Sequence, residues 1–158
     1  MKVRDLMTTE VITIDADTTL ATAEHLMKES RIRHLPVIDD DFRLIGLLTH
    51  RDLLAAELSN LHGMEEANSR FKSTVQVSKV MRDDVECASA DDDLAEVART
   101  LQRRKFGCMP VLGEEGVLVG IITATDYLRL VRHLLEVYSA DSGFADAVKN
   151  SAGHKPRT

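Results

Sequence analysis

Two pairs of side chains in this sequence have types and spacing suited to holding a polar ligand. Thr49 and Asp52 stand three positions apart, and Thr123 and Asp126 repeat that spacing 74 residues later. Each pair follows a short apolar run, Leu44-Ile45-Gly46-Leu47-Leu48 or Leu118-Val119-Gly120-Ile121-Ile122, and opens a helical pattern. A hydroxyl and a carboxylate thus fall in the first turn of a helix, whose free N–H groups favour an oxygen-rich or anionic ligand. The same spacing also reads as a capping box, in which the two side chains only satisfy backbone N–H groups of their own helix. Both readings stay open at this point.

The elements that would position these corners form a repeat. The offset of 74 holds without a gap from Leu6–Leu54 to Val80–Leu128: Met7 matches Met81, Pro36-Val37 matches Pro110-Val111, and Gly46 matches Gly120. In the first copy, Val11 to Ile14 is a β-branched strand candidate. Asp17 and Thr18 offer N-caps to a helix from Thr19 to Glu29 with Leu20, Ala23, Leu26 and Met27 at helical spacing. A strand Leu35–Ile38 follows, with Pro36 expected at its start or on an edge. A turn through Asp39-Asp40-Asp41 leads into a strand from Arg43 to Thr49, an antiparallel hairpin by its short connection. The second copy repeats the helix with Leu94, Val97, Ala98 and Leu101 after Asp91-Asp92-Asp93. That acidic triplet suits a helix N-terminus better than a metal.

The spacing therefore predicts an α+β chain of two β-α-β-β-α repeats packed face to face about an approximate two-fold axis. The units span 1–61 and 77–138, joined by a linker at 62–76 and followed by a polar tail at 139–158. Each half of about 60 residues would be marginal alone, so a shared core is expected. The first closing helix carries Leu54, Leu58 and Leu61. The linker shows only a helical turn near Glu65-Glu66-Ala67, and the tail a weak turn near Phe144 to Val148. The second closing helix presents a wide apolar stripe, Tyr127, Leu128, Val131, Leu134, Leu135 and Tyr138. Such a face is covered either by the other unit or by a second chain.

The 158 residues are 44% hydrophobic and 29% charged, ordinary for a protein that buries a core. A net charge of −6 argues against a nucleic-acid or anionic-membrane binder. No run of 18 apolar residues indicates a membrane span, and no signal peptide is apparent, so a cytoplasmic setting is expected. Cys87 and Cys108 form no Cys-x-x-Cys unit and read as small buried hydrophobes. Phosphate-loop, dinucleotide, hydrolase and zincin signatures are absent, and the six histidines lack ligand spacing. No catalytic residue, metal site or catalytic cofactor is expected, and an enzyme is disfavoured.

Taken together, Met7, Asp17/Leu20, Arg33-His34-Leu35-Pro36-Val37-Ile38-Asp39 and Gly46-Leu47-Leu48-Thr49-His50-Arg51-Asp52 resemble a CBS domain. The second copy, through Cys108-Met109-Pro110-Val111 and Gly120-Ile121-Ile122-Thr123-Ala124-Thr125-Asp126, resembles another. The resemblance covers Met1 to about Val137. It implies a tandem pair, a Bateman module, binding adenosyl compounds such as AMP, ADP or ATP in clefts between units. It further implies that Asp52 and Asp126 accept from both ribose hydroxyls, with Thr49 and Thr123 on ribose or phosphate oxygen. Backbone and apolar groups of Val11 to Thr13 with Ile32-Arg33-His34, and of Val85 to Cys87 with Phe106-Gly107-Cys108, would hold adenine. An ionised carboxylate has two oxygens to meet the two donors of a vicinal diol, which agrees with that assignment.

The two clefts are expected to differ. Arg33 and His34 correspond to Gly107 and Cys108, with Lys105 nearby, and His50-Arg51 to Ala124-Thr125. One phosphate-accepting cleft is expected near Arg33, His34, Thr49, Arg51 and Asp52, and a more neutral or weaker one at the second corner. The resemblance also implies a homodimer acting on an effector protein that the sequence does not name. The competing reading is a constitutive dimerisation or protein-interaction module whose clefts are unused.

Overall fold

The structure, a computed structural model, describes residues 1–57 and 64–138. The first unit runs β1 (Ile14–Asp15), α1 (Leu20–Glu29), β2 (His34–Ile38), β3 (Leu44–Thr49) and α2 (His50–Ala56). A linking helix α3 (Glu65–Thr74) follows. The second unit runs β4 (Ala88–Ser89), α4 (Leu94–Arg104), β5 (Cys108–Leu112), β6 (Leu118–Thr123) and α5 (Ala124–Tyr138). Each unit has the expected β-α-β-β-α order.

Each sheet has three strands, ordered β1-β2-β3 and β4-β5-β6, with the first pair parallel and the second antiparallel. The parallel pair needs a crossover, which α1 and α4 supply. Pro36 lies in the central strand rather than at an edge. The Arg33 carbonyl accepts from His50 N–H, so by strand alternation the Pro36 nitrogen points away from β3. On that side β1 reaches only Val37 and Ile38, and no ladder bond is lost.

The expected strand over Val11 to Ile14 shortens to Ile14–Asp15. Val11 packs instead with Leu47, Cys108, Ile121 and Val85 in a small apolar cluster drawn from both units. Helix α1 takes its N-cap from Thr19, whose hydroxyl accepts from Thr22 N–H at 3.3 Å, not from Asp17 or Thr18. In α4, Asp93 is the cap, accepting from Ala95 and Glu96.

The segments preceding each unit are exchanged. Val3, fully buried, packs in the second unit's core with Leu94, Val97 and Ile122. Val77 fills the equivalent place in the first, with Leu20, Leu35 and Leu48. Thr8 exchanges two backbone hydrogen bonds with Ile121 at 2.9 Å, and Arg82 exchanges two with Leu47 at 2.8 and 3.0 Å. Gly120 and Gly46 permit that approach. A Cβ on Gly120 would stand 2.8 Å from Met7 Sδ and 3.1 Å from the Thr8 carbonyl.

The linker forms a ten-residue helix where the sequence suggested one turn. Phe71 and Val75 pack on the first core. Lys72 reaches Glu24 at 2.8 Å and Glu57 at 2.5 Å. Burial works against its charge, but hydrogen bonds and charge from both glutamates outweigh it and hold Lys72 above the ordinary lysine value. Lys72→Met keeps the stem and strands two carboxylates without a cation. Stability in urea should fall by about 1–2 kcal/mol. An unchanged midpoint would mean that water already screens the triad.

Tyr127 and Leu130 of α5 pack on the second core, whereas Leu128 (68% exposed), Val131, Leu135 and Tyr138 face outward. Among the described residues, the other unit leaves that stripe exposed. Leu58, Leu61 and the tail after Tyr138 lie outside the described residues. No helix among the described residues is long and apolar enough to cross a membrane.

Candidate functional site

At the first corner, the backbone N–H and hydroxyl of Thr49 donate to Asp52 Oδ2 at 2.9 and 2.5 Å, and Asp52 N–H donates back to Thr49 Oγ1 at 3.2 Å. At the second, Thr123 donates to Asp126 Oδ2 at 2.8 Å from both groups and accepts from Asp126 N–H at 3.3 Å. Both corners are therefore capping boxes. Capping occupies only Oδ2 of each carboxylate, so it does not exclude ligand binding. Oδ1 of Asp52 accepts from Arg82 Nε at 3.0 Å and Nη2 at 2.9 Å, while Oδ1 of Asp126 accepts from Arg129 Nη1 at 3.2 Å.

Two hollows open along the seam between units. The first, about 470 Å³, is lined from one side by Leu47, Thr49, His50, Arg51 and Leu54. Asp84, Val85, Glu86 and the stretch Lys105-Phe106-Gly107-Cys108 face them from the second unit. The second hollow, about 560 Å³, sets Thr123, Thr125, Asp126 and Arg129 against Glu10, Val11, Ile12 and the stretch Arg31-Ile32-Arg33-His34. Shifting the first set by 74 gives nearly all of the second: Leu47 becomes Ile121, Lys105 becomes Arg31, Arg82 becomes Thr8. The hollows are symmetry mates, and each is composite. Face-to-face packing turns the end of β3 or β6 toward the other unit's loop before its proline-bearing strand.

Arg33, His34, Thr49 and Arg51 line one hollow together. Asp52 does not line it, although its partners Thr49 and Arg82 do. Asp126, only 2% exposed, lines the second hollow with Thr123. The apolar groups Val85, Phe106, Gly107 and Cys108 face the Thr49 corner, and Val11 and Ile32 face the Thr123 corner. Thr13 lines neither hollow. The sequence reading missed Arg82, Asp84, Arg31 and Arg129. The repeat held a signal for the first two, because they follow Met81 as Thr8 and Glu10 follow Met7.

The electrostatics of the hollows differ. Arg33, Arg51, Arg82 and Lys105 line the first against Asp84 and Glu86, and Arg104 lies 3.5 Å from Glu86. Arg31, Arg33 and Arg129 line the second against Glu10 and Asp126. His34 borders both hollows. Its ring lies where a side chain at position 107 would start: a Cβ on Gly107 would stand 2.6 Å from Nε2. Burial, then the charge of Arg33, lowers the His34 pKa below its ordinary 6.5, with Asp52 pulling the other way. The folded chain then binds fewer protons than the unfolded one. His34 thus adds stability in full above pH 6.5 and loses it as pH falls toward its folded value. His34→Gln should flatten the acid limb of urea midpoint against pH; an identical limb would remove His34 as its source.

Burial raises Cys87, and burial with the neighbouring Cys87 pushes Cys108 up to about 12. Both thiols stay protonated at neutral pH, and the Cys87 thiol donates to the Val85 carbonyl at 3.3 Å. Burial, then Asp126 and Asp93, pushes the Tyr127 phenol up to about 12, and its hydroxyl donates to the Leu94 carbonyl at 2.8 Å. The described residues contain no cluster of metal-ligating side chains.

Both units match the CBS domain, over residues 3–59 and 77–133. The chain is similar to a CBS domain-containing protein of Dictyostelium discoideum, 33% identical over 135 residues, which span 85% of this chain and 93% of that protein. Among solved structures it is similar to a candidate acetoin utilization protein, AcuB, from Vibrio cholerae. Identity there is 37%, TM-score 0.75, and coverage 88% of this chain and 97% of that one. It is also similar to CBSX2, a CBS-pair protein of Arabidopsis thaliana, in its complex with AMP. That complex is 28% identical with TM-score 0.70, covering 84% of this chain and 97% of the other. The chain spans 24% and 23% of two longer relatives, a homoserine O-acetyltransferase of Methanobrevibacter ruminantium and an inosine-5'-monophosphate dehydrogenase of Methanocaldococcus jannaschii. A chain that carries this unit twice, and folds like solved CBS pairs over most of its length, belongs to the CBS domain family as a tandem pair.

Proposed function

We propose that this tandem pair is a regulatory module that binds an adenosyl compound in its seam hollows, without a reaction or catalytic cofactor of its own. The observation that carries it is the Thr123/Asp126 corner. A carboxylate with Oδ2 committed to its helix and Oδ1 held only by one contact from Arg129 lines a hollow whose far wall sets Val11, Ile12 and Ile32 among Glu10, Arg31 and Arg33. A ribose diol suits the carboxylate, and an adenine face suits Val11 and Ile32. The AMP complex of CBSX2 supports the ligand class. Arg51, Arg82 and Lys105, beside the Arg33 and His34 that line both hollows, make the first hollow the better place for phosphates, with Val85, Phe106, Gly107 and Cys108 against the base. The second would take a less anionic ligand. Ligand binding would act on an effector protein only through unequal affinity for two arrangements of the pair.

A ligand that binds only the native state raises the melting temperature by mass action. A thermal-shift panel of AMP, ADP, ATP and S-adenosylmethionine should therefore give at least one saturable rise. No rise with any of them at millimolar concentration would defeat the proposal. The exposed stripe on α5 favours the second reading, a homodimerisation module with idle hollows. That reading expects a dimer by light scattering together with an empty ligand panel.

A further inference from the structure

Among the described residues, Arg82 pairs with a corner aspartate of the other unit. It donates through Nε and Nη2 to Asp52 Oδ1, at 3.0 and 2.9 Å, and its side chain is 57% exposed while that of Asp52 is 10% exposed. Thr49 already fills Oδ2. Both oxygens of Asp52 are thus engaged, and the hollow is lined by Arg82 and Thr49 rather than by the carboxylate. At the symmetry-related position the second hollow has Thr8, which carries no charge. There the arginine on the aspartate comes from the same helix, three residues on.

We infer that Arg82 sets the ligand charge that the first hollow accepts, by holding Asp52 until an anion draws the guanidinium away. This inference rests on the adenosyl-binding reading above and names the selectivity of one of its two sites. A vicinal diol that seeks Oδ1 must replace two charge-assisted hydrogen bonds. A neutral nucleoside offers the displaced guanidinium nothing, so it competes at a disadvantage. A nucleotide brings phosphate oxygens into a hollow that Arg82 already lines, and the guanidinium can exchange a carboxylate for a phosphate. The diol and the phosphate are then admitted as a set. The second hollow has a single, longer contact of this kind, Arg129 to Asp126 Oδ1 at 3.2 Å, and should discriminate less.

The test compares adenosine with ATP by titration calorimetry on the wild-type chain and on Arg82→Thr, which installs the residue found at position 8. Arg82 is exposed, so the variant should fold. Arg82→Gln provides a second variant that keeps the length of the side chain. In the wild type the first hollow should favour ATP over adenosine by about 100-fold or more. Either substitution should shrink that ratio by at least about tenfold, with adenosine binding tighter than to wild type as ATP binds weaker. Tighter adenosine binding is the signature, because simple loss of a phosphate contact would leave adenosine unchanged. Adenosine binding that is unchanged or weaker in both variants overturns the role of Arg82 and leaves the adenosyl reading standing. Absence of binding by either compound to wild type and variants alike overturns both.

Discussion

Asp126→Ala weakens adenosyl binding at the second hollow by about 10- to 100-fold, the loss expected when a charged acceptor of a diol is removed. The same substitution takes the acceptor from Thr123 N–H and Oγ1 at the start of α5, and this cap loss costs about 1–2 kcal/mol of stability. Titration calorimetry with AMP and ATP reads the first effect, and urea unfolding reads the second. Asp126→Asn separates them, because an amide oxygen still accepts from Thr123 but offers a diol no charge. It should recover most of the stability and little of the affinity. Asp52→Ala should act in the same direction at the first hollow but more weakly toward ATP, since the freed Arg82 gains a phosphate. If Asp126→Ala lowers stability yet leaves the affinity for every adenosyl compound unchanged, the carboxylate only caps its helix.

Gly120→Val is expected to cost about 3 kcal/mol of stability, and Gly46→Val a similar amount. The first atom of the new side chain would meet Met7 Sδ at 2.8 Å and the Thr8 carbonyl at 3.1 Å, or Met81 Sδ at 2.6 Å and the Arg82 carbonyl at 3.0 Å. A methionine can swing aside, but the carbonyls belong to the paired backbone that docks each preceding segment on a sheet. Valine therefore forces those pairings apart and loosens Val3 or Val77 in the core beneath. Urea unfolding should show the loss at either position. Wild-type stability in both variants would mean that the exchanged segments contribute little to the fold.

The duplicated corner was legible because its parts are local. A hydroxyl and a carboxylate three positions apart at a strand end meet in any helix that starts there, and the offset of 74 residues marks the second copy without knowledge of the fold. Strand and helix order followed in the same way from apolar period and turn residues. Pro36 in a central strand was not legible, because it is tolerated only where a two-residue neighbour stops short of it. The linker helix was obscure for a related reason. Its stability comes from Phe71 and Val75 on a core, and from Lys72 between glutamates on α1 and just after α2, none of which is adjacent in sequence.

By itself the sequence determined that the chain is two like units, each ending a strand in a threonine and opening a helix with an aspartate. Short-range geometry and side-chain period require nothing more distant than a few residues. Only the tertiary structure decided what each corner faces. Packing about the two-fold axis carries the Thr49 corner to Val85, Phe106 and Cys108, and the Thr123 corner to Val11 and Ile32. It also brings Arg82 onto Asp52 while its repeat partner remains a threonine. Those pairings depend on how two apolar faces meet across the seam, and no spacing along a single unit encodes that.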